Sequence, residues 1–155
     1  MEKTDVQAFR RALSEKLRAL GIETTELEGF GPPQIGGTLR VLLPISDREV
    51  VITDFLLFTF ETDNDLLQLY TTVLAELGDD ADMLTKRLVE WNAVCPLGHF
   101  GIPAQERRLY HRYTLPVEKH ADPGALPDRA LLLLSLVREI VAGKYPEAAP
   151  FAKGG

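Results

Sequence analysis

The sequence holds a single cysteine, Cys95, among 155 residues. No internal disulfide can form, so the fold must rest on a hydrophobic core, and such usage suits a reducing compartment. Long apolar runs are missing too. The longest, Ala130–Leu134, falls far short of the roughly 20 residues a membrane-spanning helix needs. The first residues, MEKTDVQAFRRAL, mix acids with bases, which is not the pattern of a secretory signal. A cytoplasmic location is therefore expected. Basic charge is in deficit: 17 Lys and Arg stand against 23 Asp and Glu, for a net charge of −6. A field of that sign repels phosphates, and the small group Arg107, Arg108 and Arg112 does not reverse it. Neither a nucleic acid nor a membrane is expected as a partner.

The residue patterns of common catalytic sites are also absent. Ser14, Ser46 and Ser135 lack a Gly-x-Ser-x-Gly setting. The segment Gly29–Gly37, GFGPPQIGG, lacks the glycine spacing and the Lys-Ser/Thr ending of a phosphate loop, and is expected to be a flexible connector. The acids Asp63, Asp65, Asp79 and Asp80 fall in turns, where capping accounts for them. Cys95, His99, His111 and His120 are the residue types of a zinc site, but their spacing matches no established ligand pattern. Cys95 falls on the apolar seam of a helix and His111 alternates with core residues, so both are expected to serve packing. No catalytic residue, metal ligand or cofactor is expected.

What the chain does contain is periodic apolar structure. Hydrophobic residues make up 45% and charged residues 26%, ordinary globular usage for one domain of this length. Thr4 is placed to cap a helix whose stripe is Val6, Phe9, Leu13, Leu17 and Leu20, stopped by Gly21. Ile22–Glu28 reads as an exposed edge strand. Thr38–Ile45 alternates, with Leu39, Val41, Leu43 and Ile45 inward and Pro44 limiting the end.

The next segment, Val50–Phe60, is apolar on both faces and should be covered on both. Its second cover is a further helix layer, a partner subunit or a bound peptide. Asp54 interrupts this pattern, either at a bulge or, as we read it, at a solvent-exposed kink. Leu66–Leu77 fits a helix or a strand; the β-branched and aromatic run Tyr70–Val73 favours a strand over Leu66–Val73.

Asp80 or Asp82 is placed to cap a helix with the seam Leu84, Leu88, Trp91 and Cys95, ended by Pro96. Gly98 and Gly101 flank a turn into a short strand around Phe100–Ile102. A second strand spans Arg107–Val117, with Tyr110 and Arg112 on its outward face. Pro127 and Asp128 open a last helix that Gly143 should end, and that is apolar around more than half its circumference. Leu132 and Leu136 belong to the excess. The expected fold is α+β: a twisted antiparallel sheet of about five to six strands flanked by N-terminal, middle and C-terminal helices. It forms a single domain over residues 1–145, followed by a tail at 146–155.

The stretch Leu84–Val117 carries a recognisable order of residues. A helix ending in Leu-x-x-Trp-Asn is followed by Pro-Leu-Gly-His-Phe-Gly-Ile and then Leu-Tyr-His-Arg-Tyr-x-Leu-Pro-Val. In this it resembles the YbjN-like proteins and the wider group that includes the Tir/CesT-type class I chaperones of type III secretion. The loop PPQIGG, His99 and His111 attach to no function of that group. Trp91, Asn92, Gly98 and Gly101 form the structural signature, and the Asn92 amide should tie the helix end to the turn. The resemblance implies a small acidic homodimer that binds protein segments without catalysis, as a chaperone or a regulator.

Phe55, Leu57, Tyr110, Arg112, Leu132 and Leu136 are the candidate partner-binding residues. Two other readings stand beside this one: a small-ligand or metal-binding protein using His99 and His111, and a structural subunit of a larger assembly.

Overall fold

The computed structural model describes residues 3–28, 35–119 and 124–154, with backbone alone for 3–5, 35 and 36. The fold is α+β, with three helices and a six-stranded antiparallel sheet. In chain order the elements are α1 (Lys3–Ala19), β1 (Thr24–Leu27), β2 (Ile35–Pro44), β3 (Val50–Phe58), β4 (Asn64–Leu74), α2 (Ala81–Val94), β5 (His99–Gly101), β6 (Leu109–Glu118) and α3 (Leu126–Ala148). The strands lie in the order β1-β2-β3-β4-β6-β5. The first four form a meander; α2 then carries the chain across, so that β5 and β6 add as a hairpin with β5 on the outer edge.

Alternation decides which side chains meet the helices. Leu39, Val41 and Leu43 of β2, Phe55 and Leu57 of β3, Leu67 and Leu69 of β4, and Leu115 and Val117 of β6 are all buried. They join one core with Val6, Phe9, Leu13 and Leu17 of α1, Leu84, Leu88 and Trp91 of α2, and Ala130, Leu134, Val137 and Val141 of α3. Helix α1 packs on β1 and β2, α2 on β5, and α3 on β4 and α1. Among the described residues, no helix lies over the other face of the sheet.

The ambiguous segment after Asn64 is a strand, β4, because both its neighbours, β3 and β6, bond to it along its length. Several local expectations need correction. Helix α1 already includes Thr4 as its second residue. Leu20, placed on the buried stripe, is 67% exposed. It stands where the helix ends in a Schellman motif, with Ile22 N–H donating to Leu17 O at 3.0 Å and Gly21 N–H to Arg18 O at 2.9 Å.

Ile35–Gly37 is not connector but the start of β2, with a register shift against β3 between Ile35 and Thr38; residues 29–34 lie outside the described residues. Asp80 occupies the cap position of α2 without a capping side-chain hydrogen bond. Cys95 is the residue after α2, in extended conformation before Pro96.

Gly143 does not end α3, which continues with Pro146 inside it to Ala148. The residues beyond Tyr145, expected as a tail, are tied to the segment that follows β4. Gly78 N–H donates to Phe151 O at 2.8 Å, Lys153 N–H donates to Glu76 O at 2.9 Å, and Ala152 pairs with Leu77. The buried Ala148 and these bonds hold a last turn that Pro146, lacking an N–H, would otherwise weaken. No helix among the described residues is long and apolar enough to cross a membrane.

Candidate functional site: the open face of the sheet

Because side chains alternate along a strand, the face turned away from the helices carries the intervening residues, and the register aligns them in rows. One row is polar: Thr25, Arg40, Asp54, Tyr70, Arg112 and His99 lie side by side across all six strands. On one flank runs Leu42, Ile52, Thr72, Tyr110 and Gly101. On the other run Thr38, Leu56, Gln68 and Thr114, then Phe58, Leu66 and Pro116. Ile52, Leu56, Phe58 and Leu66 are half-buried, and Val50 and Phe60 at the ends of the strand region are exposed.

Asp54 sits in regular register opposite Arg40, at neither a bulge nor an exposed kink. It is buried. Arg40 Nε donates to Asp54 Oδ1 at 2.9 Å and Arg40 Nη2 to Oδ2 at 3.1 Å, the paired fork that a planar guanidinium makes with a carboxylate. This hydrogen bonding raises the Arg40 pKa above its already high ordinary value. The charge that broke the apolar pattern is thus neutralised by its neighbour across the strands.

Beside that pair, Tyr70 and Tyr110 stack with ring centres 5.1 Å apart. The Arg108 guanidinium lies 5.4 Å from the Tyr70 ring and that of Arg112 5.7 Å from the Tyr110 ring, so each ring face is met by a cation. Burial raises the Tyr70 phenol above its usual pKa, and the Arg108 charge opposes this. Arg112 Nη2 lies 3.4 Å from His99 Nε2. Burial, helped by the Arg112 charge, lowers the His99 pKa; the neutral imidazole nitrogen then accepts a hydrogen bond from the guanidinium. Gly101, opposite Tyr110, is required by close approach: a Cβ there would lie 2.6 Å from the Tyr110 ring carbon Cζ.

His111 lies on the buried face, across the sheet from His99. Its Nε2 donates to Leu97 O at 2.8 Å, and its ring meets Phe100 edge-on at 5.0 Å. Burial lowers the His111 pKa, partly offset by the Leu97 bond. The Cys95 thiol donates to the same Leu97 oxygen at 3.3 Å and lies 3.9 Å from His111 Nε2. So of the four residues with zinc-site chemistry, Cys95 and His111 meet, His99 faces the other way, and His120 lies outside the described residues. Among the described residues no three His, Cys, Asp or Glu side chains gather closely enough to hold a metal.

The Asn92 amide clamps the β5 edge from α2: Nδ2 donates to Phe100 O at 2.8 Å and Phe100 N–H donates to Oδ1 at 2.7 Å. Trp91, the next residue, meets the Phe100 ring edge-on at 5.6 Å. Gly98 adopts φ +71°, and a Cβ there would collide with Arg112 O and approach His111 Cε1 to 2.9 Å. Helix seam, turn and strand pair are thereby locked together, and the lock sets where His99 and Arg112 stand on the open face.

The partner-binding candidates divide among three settings. Phe55 and Leu57 are 1% and 2% exposed, inside the core beneath the helices, and are unavailable to a partner; this corrects the expectation. Tyr110 and Arg112 are on the open face. Leu132 and Leu136 are exposed on the outer side of α3, one turn apart. The open-face residues Ile52, Leu56, Phe58 and Leu66 were not among the candidates. The signal was present in β3, whose two apolar sets were both visible in the sequence.

A family model matches residues 53–149, from β3 through α3. The family is YbjN, described as "Putative bacterial sensory transduction regulator". No curated protein matches the chain. The matched span covers well over half of the 155 residues and contains the stacked tyrosines, the Asn92 clamp and the Arg112–His99 pair, so the chain belongs to the YbjN family.

Proposed function

We propose that this protein is a cytoplasmic regulator, chaperone-like in manner, that works as a homodimer by binding a protein segment and catalyses no reaction. The observation that carries the reading is the apolar open face. Ile52, Leu56, Phe58 and Leu66 stand on the side of the sheet that bears no helix among the described residues. Apolar surface of this kind, rimmed by polar groups, favours a macromolecular partner over bulk water. The regulatory description of the family agrees with it.

The exposed pair Leu132 and Leu136 on α3 is the proposed dimer contact, so that two open faces remain available to clients. A ligand or metal site using His99 and His111 together has less support, because the two imidazoles lie on opposite faces of the sheet.

Light scattering on the purified protein tests the dimer: wild type should be dimeric at micromolar concentration and Leu132→Glu/Leu136→Glu monomeric. A monomeric wild type overturns the dimer. Affinity capture with mass spectrometry, comparing wild type with Leu56→Glu on the open face, tests the binding. Substoichiometric clients lost in L56E support the reading; one constant stoichiometric partner would mean instead a fixed subunit of a larger assembly.

A further inference from the structure

We propose that the Arg112 end of the open face is an anchor for one carboxylate side chain of an extended peptide, with a large apolar residue of the same peptide seated beside it. The inference rests on the reading that this face binds a protein segment, and adds the chemistry of that segment. Three arginines stand on the face. Arg40 is held by Asp54, and Arg108 is paired with Glu106 at 2.9 Å. Arg112 has no carboxylate partner among the described residues. Its guanidinium meets the His99 ring nitrogen and the Tyr110 ring face, both neutral acceptors that orient it without cancelling its charge. A guanidinium carries five N–H donors in a flat fork, so most of the fork remains for a ligand.

The surroundings narrow the ligand. Arg112 and His99 border a depression of about 650 Å³, whose other walls include Phe58, Phe60, Leu66 and Gln68. A cation at one side of an aromatic and aliphatic floor suits an acid next to apolar bulk. The depression is shallow and open to solvent along the sheet, so a small molecule would leave too much of its own surface wet, since small ligands are tightly held when most of their surface is covered. An extended chain gains further contacts along the apolar rows. The protein's net charge of −6 opposes a run of acids. One acidic residue flanked by large apolar ones satisfies both constraints.

Panning a phage-displayed library of random peptides on the full-length protein tests this. Wild type should enrich peptides with a single Asp or Glu next to an aromatic or aliphatic residue. Arg112→Gln should not enrich them. In fluorescence anisotropy, a selected peptide should bind Arg112→Gln about tenfold or more weakly than wild type, and Arg112→Lys should not restore binding fully, because an ammonium lacks the planar fork. The same loss should appear with wild-type protein when the acid of the peptide is replaced by its amide, which keeps the test valid even if Arg112→Gln folds poorly.

Enrichment of peptides without acids, or equal affinity for the amide peptide, overturns the anchor while leaving peptide binding on this face intact. Enrichment of acidic runs overturns it equally. No enrichment by wild type overturns the peptide reading of the face and the anchor with it. Loss of the dimer in Arg112→Gln would make a second copy the occupant, and would also overturn it.

Discussion

Asn92 of α2 and Phe100 of β5 exchange two hydrogen bonds, amide to carbonyl at 2.8 Å and backbone N–H to amide oxygen at 2.7 Å. A side chain thus takes the place of a neighbouring strand for one residue of the sheet's edge. Phe100 is 2% exposed, so its backbone groups have little access to water and need this partner. Asn92→Ala should cost about 1–3 kcal/mol, the penalty for leaving buried polar groups unsatisfied. Urea denaturation measures it; a midpoint equal to that of wild type would mean that water replaces the amide.

Trp91 anchors the same junction from the apolar side. It is 4% exposed, meets Phe100 edge-on, and carries Lys144 of α3 over its ring at 5.6 Å. Trp91→Ala should destabilise by about 3–5 kcal/mol through lost burial and the cavity left behind. A loss below about 1 kcal/mol would contradict the packing.

The Arg40–Asp54 pair predicts a non-additive cycle. Asp54→Ala leaves a guanidinium beside the apolar rows without its carboxylate and should destabilise by about 1–3 kcal/mol. Arg40 keeps about a third of its side-chain surface in water, which tempers the loss. The double variant with Arg40→Ala should be more stable than the sum of the two single losses allows, by about 1 kcal/mol. Additive losses would mean that the two side chains do not act on each other.

His111 makes stability depend on pH. Its pKa is lowered in the folded protein by burial, so the unfolded chain binds more protons in the window below the ordinary histidine value of about 6.5. Stability then rises with pH across that window and falls as the solution is acidified from about pH 7 to about pH 5. His99 shifts in the same direction. His111→Gln keeps a donor for Leu97 O but cannot take up a proton, so its denaturation midpoint should fall less over that range. An equal fall in both proteins would assign the acid sensitivity elsewhere.

Much of the fold was legible because its periods are clean. The stripe Val6, Phe9, Leu13 and Leu17, the alternation Leu39, Val41 and Leu43, and the seam Leu84, Leu88 and Trp91 each admit one buried face, and each is buried. Side-chain direction follows from helical or extended geometry alone in such segments. The Asn92 clamp could be foreseen for a related reason, since a polar residue at the edge of a buried helical face beside a glycine turn needs a partner close by in sequence.

The open face was not legible in the same way. In β3 both sets of alternating residues are apolar, so the period of two divides Phe55 and Leu57 from Ile52, Leu56 and Phe58 without saying which set the helices cover. Pairing with β2 and β4 decided it. Asp54 read as an interruption because its partner Arg40 lies 14 residues away, and only the register brings them together. The end of α3 was hidden likewise, since Gly143 and Pro146 argue locally for a stop while bonds to residues 76–78 hold the last turn. By itself the sequence determined the elements of clean period, their core-facing residues and the absence of common catalytic patterns, while Leu66–Leu77 stayed open between helix and strand until its pairing with β3 and β6 made it β4. The tertiary structure alone decided which apolar face bears no helix among the described residues and that Arg112 stands there without a carboxylate partner among them, because both depend on contacts between strands far apart in the chain.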